Sequence, residues 1–218
     1  MGKKSWHKAG EIFSVTVGEN EFIFGRILFD TNKQYIKKNS GDEQFNYLGW
    51  FGKCHLIETY VGVLSALDHV DFGKVTIKSD FVPNIFFKQE KVTTVGHRTI
   101  SPLEVTFPEV LSTYNSQIYY TTGELKIPID LSWEEYEKIK VCPSFGSGYW
   151  DIVATLSISG RKDLIDPADV KDFYFKDSDL RLQPELRERL YGILGENPSQ
   201  TYYEMALKHG FDLARLYE

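Results

Sequence analysis

GEIFSVTVGENEFIFGRILFD, residues 10–30, decides how the rest of the chain is read. Residues 12–17 are apolar or β-branched except for Ser14, and residues 22–29 are apolar except for Gly25 and Arg26. Between the two runs lies Gly18-Glu19-Asn20-Glu21, a short polar link with the Gly and Asn that close a β-hairpin. In the second run Phe22, Phe24 and Leu28 share one strand face, while Ile23, Ile27 and Phe29 share the other. A strand that is apolar on both faces is covered on both, which places it centrally in a sheet. Gly25 within it predicts a bulge or a close approach of backbone. Arg26, a charge among apolar neighbours, must find a partner or reach water, and a structural ion pair is preferred over an active-site role.

Moving outward, residues 31–44 are polar and read as a surface loop or the frayed end of a strand. Residues 47–52, YLGWFG, read as a core corner, with Trp50 and Phe51 as an exposed aromatic anchor in the sharper alternative. Residues 57–67 suit a strand running into a turn near Asp68-His69. Short strands are expected at 75–77, at 82–87 with Pro83 near its start, at 93–95 and at 105–107. The best boundary lies at 108–115, dividing the chain into a β-rich domain at 8–110 and an α+β extension or second subdomain at 111–218.

In that second part, residues 118–121 and 125–129 flank Thr122-Gly123-Glu124 as a hairpin. Ser132 with Glu135 forms a capping-box pair opening a helix through Lys140, with Pro143 as the stop. Residues 149–159 alternate Trp150, Ile152, Ala154, Leu156 and Ile158 with more polar neighbours and read as a strand. Asp166-Pro167 opens a short helix to about Phe173, and Pro184 opens another that carries Leu186, Leu190, Ile193 and Leu194 and stops at Gly195. A last helix follows Asn197-Pro198, carries Tyr203, Ala206, Leu207, Ala214 and Tyr217, and is open to breakage at Gly210. The fold class is therefore α+β, with a mainly antiparallel, partly barrel-like sheet in the N-terminal half and helices concentrated at the C-terminus.

Composition narrows the function. The 218 residues are 42% hydrophobic, enough to build a packed core. No apolar run approaches the length of a membrane helix, and no apolar signal core follows the basic start, so a cytoplasmic location off the membrane is expected. Cys54 and Cys142 are expected as two reduced thiols. Residues 1–110 hold 13 Lys and Arg against 13 Asp and Glu, whereas residues 111–218 hold 12 against 18, so the whole net charge of −6 lies in the second half. Such a chain is a poor ligand for nucleic acid and better matched to a basic protein.

No catalytic motif is present, and neither a cofactor nor a metal is expected. His69, Asp71, Cys54 and His55 lack the spacing of a metal site, and His97-Arg98 reads as a polar turn. The densest unusual feature is acidic: Asp163, Asp166, Asp169, Asp172, Asp177 and Asp179 fall within seventeen residues around Phe173-Tyr174-Phe175. It reads either as a solvated loop with capping aspartates or as a patch that docks a basic surface beside an aromatic anchor, with Asp169, Asp172, Tyr174 and Asp177 as its candidate residues.

The pattern G-E-I-F-S-V-x-V-G-x-x-x-F-x-F-G-R-I-L at residues 10–28, together with Pro83-Asn84-Ile85-Phe86-Phe87-Lys88-Gln89-Glu90, resembles the immunity protein 26 family over residues 8–110. The resemblance implies a protein that binds a cognate toxin domain and blocks it by occupancy, without turnover. The alternative is a small hydrolase-type enzyme without a recognisable motif.

Overall fold

The expected hairpin forms. Strand β1 (Glu11–Gly18) pairs antiparallel with β2 (Glu21–Asp30), and Asn20 takes a positive φ of 55° in the turn. Strand β2 then pairs with β3 (Cys54–Tyr60), β3 with β4 (Val75–Pro83), and β1 with β5 (Val92–His97), giving the order β4-β3-β2-β1-β5. Thus β2 is the central strand, with β4 and β5 at the edges, and no barrel is closed among the described residues. The computed structural model describes residues 7–39, 47–89, 91–139, 141–142 and 148–218, with Tyr47 described by its backbone only. A second antiparallel sheet comprises β6 (Val110–Tyr114), β7 (Gln117–Thr122) and β8 (Leu125–Pro128). The helices are α1 (Tyr47–Trp50), α2 (Trp133–Ile139), α3 (Tyr149–Ile158), α4 (Pro184–Leu194) and α5 (Tyr202–Lys208), most of them late in the chain. The architecture is α+β.

The residues of β2 explain its place. Phe24, Ile27 and Leu28 are buried, as are Ile23 and Phe29. Ile23 and Ile27 join Phe13, Val15, Ile57 and Val82 in one apolar cluster. Leu28 and Phe29 both join a larger cluster, because the pairing with β3 slips between Ile27 and Phe29 and breaks the strict alternation expected of the sequence. Gly25 is a close-approach glycine: an added Cβ would lie 2.4 Å from the Phe13 ring and 2.5 Å from the Glu58 carbonyl. Arg26 makes the expected ion pair. Its Nε donates to Glu58 at 2.8 Å across the β2–β3 pair, both residues are buried, and the Tyr60 hydroxyl donates to the same carboxylate oxygen at 2.5 Å.

The large cluster runs across residue 110, joining Phe29, Phe81 and Phe107 to Leu111, Leu190 and Tyr202. Even Tyr217 reaches β2, donating its hydroxyl to the Leu28 carbonyl at 2.8 Å, with its ring 5.8 Å from Phe29.

Several local expectations are corrected. Residues 149–159 are not a strand but the helix α3, buried along most of its length from Asp151 to Leu156. A helix enclosed on most sides has no polar stripe, so period two and period 3.6 fit the same residues equally well. Residues 75–83 form one continuous strand, and Phe86–Lys88 is a 3₁₀ turn. Pro83 ends that edge strand, where its missing N–H costs no ladder bond. Val105 and Phe107 are buried without being in a strand, and Pro102–Glu104 is a 3₁₀ turn. Thr31–Ile36 is a π-helical turn rather than a loop, since Thr31 and Tyr35 are buried and the Thr31 hydroxyl donates to the carbonyls of Phe51 and Cys54. The helix after Asp166 is a single 3₁₀ turn, Pro167–Asp169. The last helix ends at Lys208, with Gly210 at φ 87° before the 3₁₀ turn Leu213–Leu216. The hairpin β7–β8, the capped start of α2 and Gly195 after α4 follow the sequence, whereas α5 starts at Tyr202 behind a Thr201–Glu204 capping box rather than at Asn197-Pro198. The expectations that fall on residues 40–44, Glu90, Lys140 and Pro143 lie outside the described residues.

Two outcomes follow for stability, both measured by urea unfolding. Gly25→Ala forces Phe13 or the β3 backbone aside and should cost about 1–3 kcal/mol. Glu58→Ala strands a buried guanidinium and should cost about 3–5 kcal/mol, most of it recovered when Arg26→Met and Glu58→Leu are combined.

Candidate functional site

The acidic segment and the start of α3 form one surface. Helix α3 begins after Gly148, whose φ of 80° is left-handed and whose missing Cβ is replaced by the Phe86 ring, 2.2 Å from where that atom would lie. This seating brings Tyr149 and Trp150 beside the loop. Their rings meet edge-on at 5.4 Å, and the Tyr149 hydroxyl donates to Asp169 at 2.5 Å. That hydrogen bond, more than burial, raises the Tyr149 phenol above its ordinary range.

The loop is held at several points. The Tyr174 hydroxyl donates to the Asp169 carbonyl at 3.0 Å and accepts from the Lys171 N–H at 2.9 Å, while the Lys171 ammonium lies 4.1 Å from the Trp150 ring centre. Arg161 bridges Asp163 and Glu21 of β2, at 3.0 Å and 2.6 Å. Asp166 caps the turn through the Ala168 N–H at 2.9 Å. Asp179 is buried against Arg181. Phe175 is fixed at φ 62°, a left-handed conformation that an aromatic residue adopts at a cost of about 1–3 kcal/mol, and its carbonyl accepts from both the backbone N–H and the hydroxyl of Ser178. A loop so pinned presents its outward groups in a fixed arrangement.

Those outward groups differ from the sequence-derived set. Asp172 and Asp177 are exposed. Asp169 and Tyr174 are half-buried and tie the loop together, so Tyr174 is no free anchor. Phe51 is 1% exposed and stacked on Phe81 at 4.0 Å, which removes it as an anchor; its neighbour Trp50 is exposed at 47%. Phe51 belongs to the large cluster, whereas Tyr174 packs on the smaller one, so the structure does not gather the six candidates in one place. The exposed rings of the surface are instead Phe173, at 54%, and Tyr149, at 41%. Tyr149 and Trp150 were hidden by the strand reading; the sequence signal for them was Gly148 before an aromatic pair with an aspartate in the following helical turn.

A cleft of about 890 Å³ opens between the Pro102–Glu104 turn, α4 and α5, lined by Glu109, Arg181, Arg187, Tyr191 and Tyr202 among others. Its guanidiniums are committed. Arg187 grips Glu109 through Nε at 2.7 Å and Nη2 at 2.9 Å and donates to the Pro198 carbonyl, while Arg181 binds Asp179, Ser79 and Thr106. Burial, with the Glu109 charge second, pushes the Tyr191 phenol up to about 12, far from a useful general acid or base at neutral pH. Among the described residues no group of three or more His, Cys, Asp or Glu side chains is placed to hold a metal ion. Of the residues weighed for that role, His55 faces Asp30 at 3.6 Å, and Asp71 accepts from the Gly73 N–H and pairs with Lys74. Cys54 is buried and Cys142 exposed, both as free thiols. No helix among the described residues is long and apolar enough to cross a membrane.

The chain matches no protein-family model, no curated protein and no solved structure.

The placement of the surface depends on Gly148. Gly148→Ala should lower stability by about 2 kcal/mol or more, through a strained φ and a collision with Phe86. The same change should move Trp150 fluorescence, because the aromatic pair shifts with the helix start.

Proposed function

We propose that this chain is an immunity protein of the cytoplasm, one that binds a basic toxin domain and prevents its action by covering it. The observation that carries the reading is the pinned loop of residues 161–179, which offers exposed Asp172 and Asp177 beside the exposed rings of Phe173 and Tyr149. The likeness of residues 8–110 to the immunity protein 26 family supports the same reading. A fixed loop binds at lower entropic cost than a mobile one, and aromatic rings next to charge are the usual centre of a tight protein interface. Inhibition of this kind needs no cofactor and no turnover; it needs only an interface of about 1,600 Å² in total. The net charge of −6 steers a basic partner onto the surface.

The test is binding kinetics, at low and high salt, against the toxin domain encoded by the adjacent reading frame. The pair Asp172→Asn and Asp177→Asn should slow association at low salt and leave dissociation nearly unchanged, because exposed charges act over only about 8 Å at physiological ionic strength. Phe173→Ala should speed dissociation by about 30-fold if its ring is a hot spot of about 2 kcal/mol. Wild-type rates in both variants would remove this loop from the interface, and failure of the wild-type chain to bind or protect would remove the proposal itself.

A further inference from the structure

Asp151 is fully buried in the first turn of α3, and neither of its carboxylate oxygens has a hydrogen-bond partner. Helix α3 packs across β4, and there Asp151 faces Asp80. Asp80 keeps some surface as a whole residue, but its carboxyl is enclosed, and one of its oxygens accepts from the Phe81 N–H at 2.8 Å. Two ionised carboxylates have no hydrogen to place between them. A single proton supplies one and removes the repulsion.

The surroundings offer no other remedy. The charged and titratable groups facing Asp80 are Asp151 on α3, Cys54 on β3, and Asp179 and Arg181 at the Leu180–Leu182 turn. Burial, with the Asp80 charge second, pushes the Cys54 thiol up to about 12, so it stays neutral. Arg181 is committed to Asp179, Ser79 and Thr106, and the Asp179 charge offsets its own. Burial, then the Asp151 charge, raises Asp80 well above the ordinary carboxylate range, and burial pushes Asp151 up to about 7. The N-terminal end of α3 favours negative charge on Asp151, so the proton rides mainly on Asp80.

We propose that Asp80 and Asp151 hold one proton between them as an O–H···O bond, and that this proton fastens the start of α3 to the edge strand β4. Its loss sets two carboxylates against each other and releases the first turn of the helix, with Tyr149 and Trp150 on it. The middle of α3 stays anchored, because the Thr155 hydroxyl is bonded to that of Thr59 at 2.7 Å and to that of Thr76 at 3.2 Å. The device acts on the fold alone and is independent of any partner.

The sign follows from proton uptake. An aspartate in the unfolded chain titrates near 3.9, so between about pH 4 and pH 7 the folded chain holds a proton that the unfolded chain lacks. The contribution of this pair to stability is therefore full at low pH and is lost as pH rises through that window, by up to about tenfold in the folding constant per pH unit. Urea unfolding of the full chain from pH 5 to pH 7 should show the wild type losing up to about 100-fold relative to the double variant Asp80→Asn with Asp151→Asn, which lacks the shared proton and keeps every other titrating group. Parallel profiles would overturn the proposal. Carboxyl ¹³C titration of the wild type needs no variant: Asp80 and Asp151 should titrate together, well above the ordinary carboxylate range, and both titrating near pH 4 would equally overturn it. Amides in the first turns of α3 should lose hydrogen-exchange protection at pH 8 relative to pH 6; unchanged protection would overturn the fastening.

Discussion

A phenyl ring stands where a side chain is missing. Phe13 of β1 fills the space above Gly25 of β2, and the Glu58 carbonyl closes the same gap from β3. Three strands meet there at a spacing that only glycine permits. The contact joins the two halves of the sheet, because β1 carries β5 and β3 carries β4. It also sets the register that puts Arg26 opposite Glu58, so a buried charged pair of the central strands is satisfied by the same alignment that packs the core. Sheet, ion pair and core thus depend on one close approach.

Much of this was legible in the sequence. Two-sided apolarity placed β2 at the centre, Gly25 announced a close approach, and Arg26 asked for a buried partner. The hairpin β7–β8 and the start of α2 rest on contacts within a few residues, and such contacts are visible in a string of letters. What was not legible arises from distant pairs. Residues 149–159 fit a strand and a buried helix equally, and the tie is broken by Gly148 against Phe86 and by Asp151 against Asp80, across more than sixty residues of chain. The candidate surface divides in the same way. That aspartates crowd residues 163–179 is plain in the sequence, but that Asp169 serves Tyr149 while Asp172 faces water depends on where α3 lies.

The loop of residues 161–179 shows how a surface segment without long helices or strands is made rigid. Each turn uses a local hydrogen bond, from the Ala168 N–H to Asp166 or from Ser178 to Phe175, and each end is tied to a distant element, through Arg161 to Glu21 of β2 and through Asp179, which accepts from the Glu109 N–H. The strained backbone of Phe175 persists because these ties over-determine it. Rigidity at the surface is thereby borrowed from the sheet beneath.

Tyr217 donates to the Leu28 carbonyl across 189 positions of sequence, and its ring lies against Phe29. During synthesis the N-terminal strands therefore leave the ribosome with part of one face uncovered. They remain so until about the last tenth of these residues, with Met205, Leu213 and Leu216, has emerged to complete the same cluster. At about 5–20 residues per second that interval lasts on the order of ten seconds or more. Until then the uncovered face is apolar surface of the kind that aggregates, so the order of translation bears on this fold as well as its final contacts.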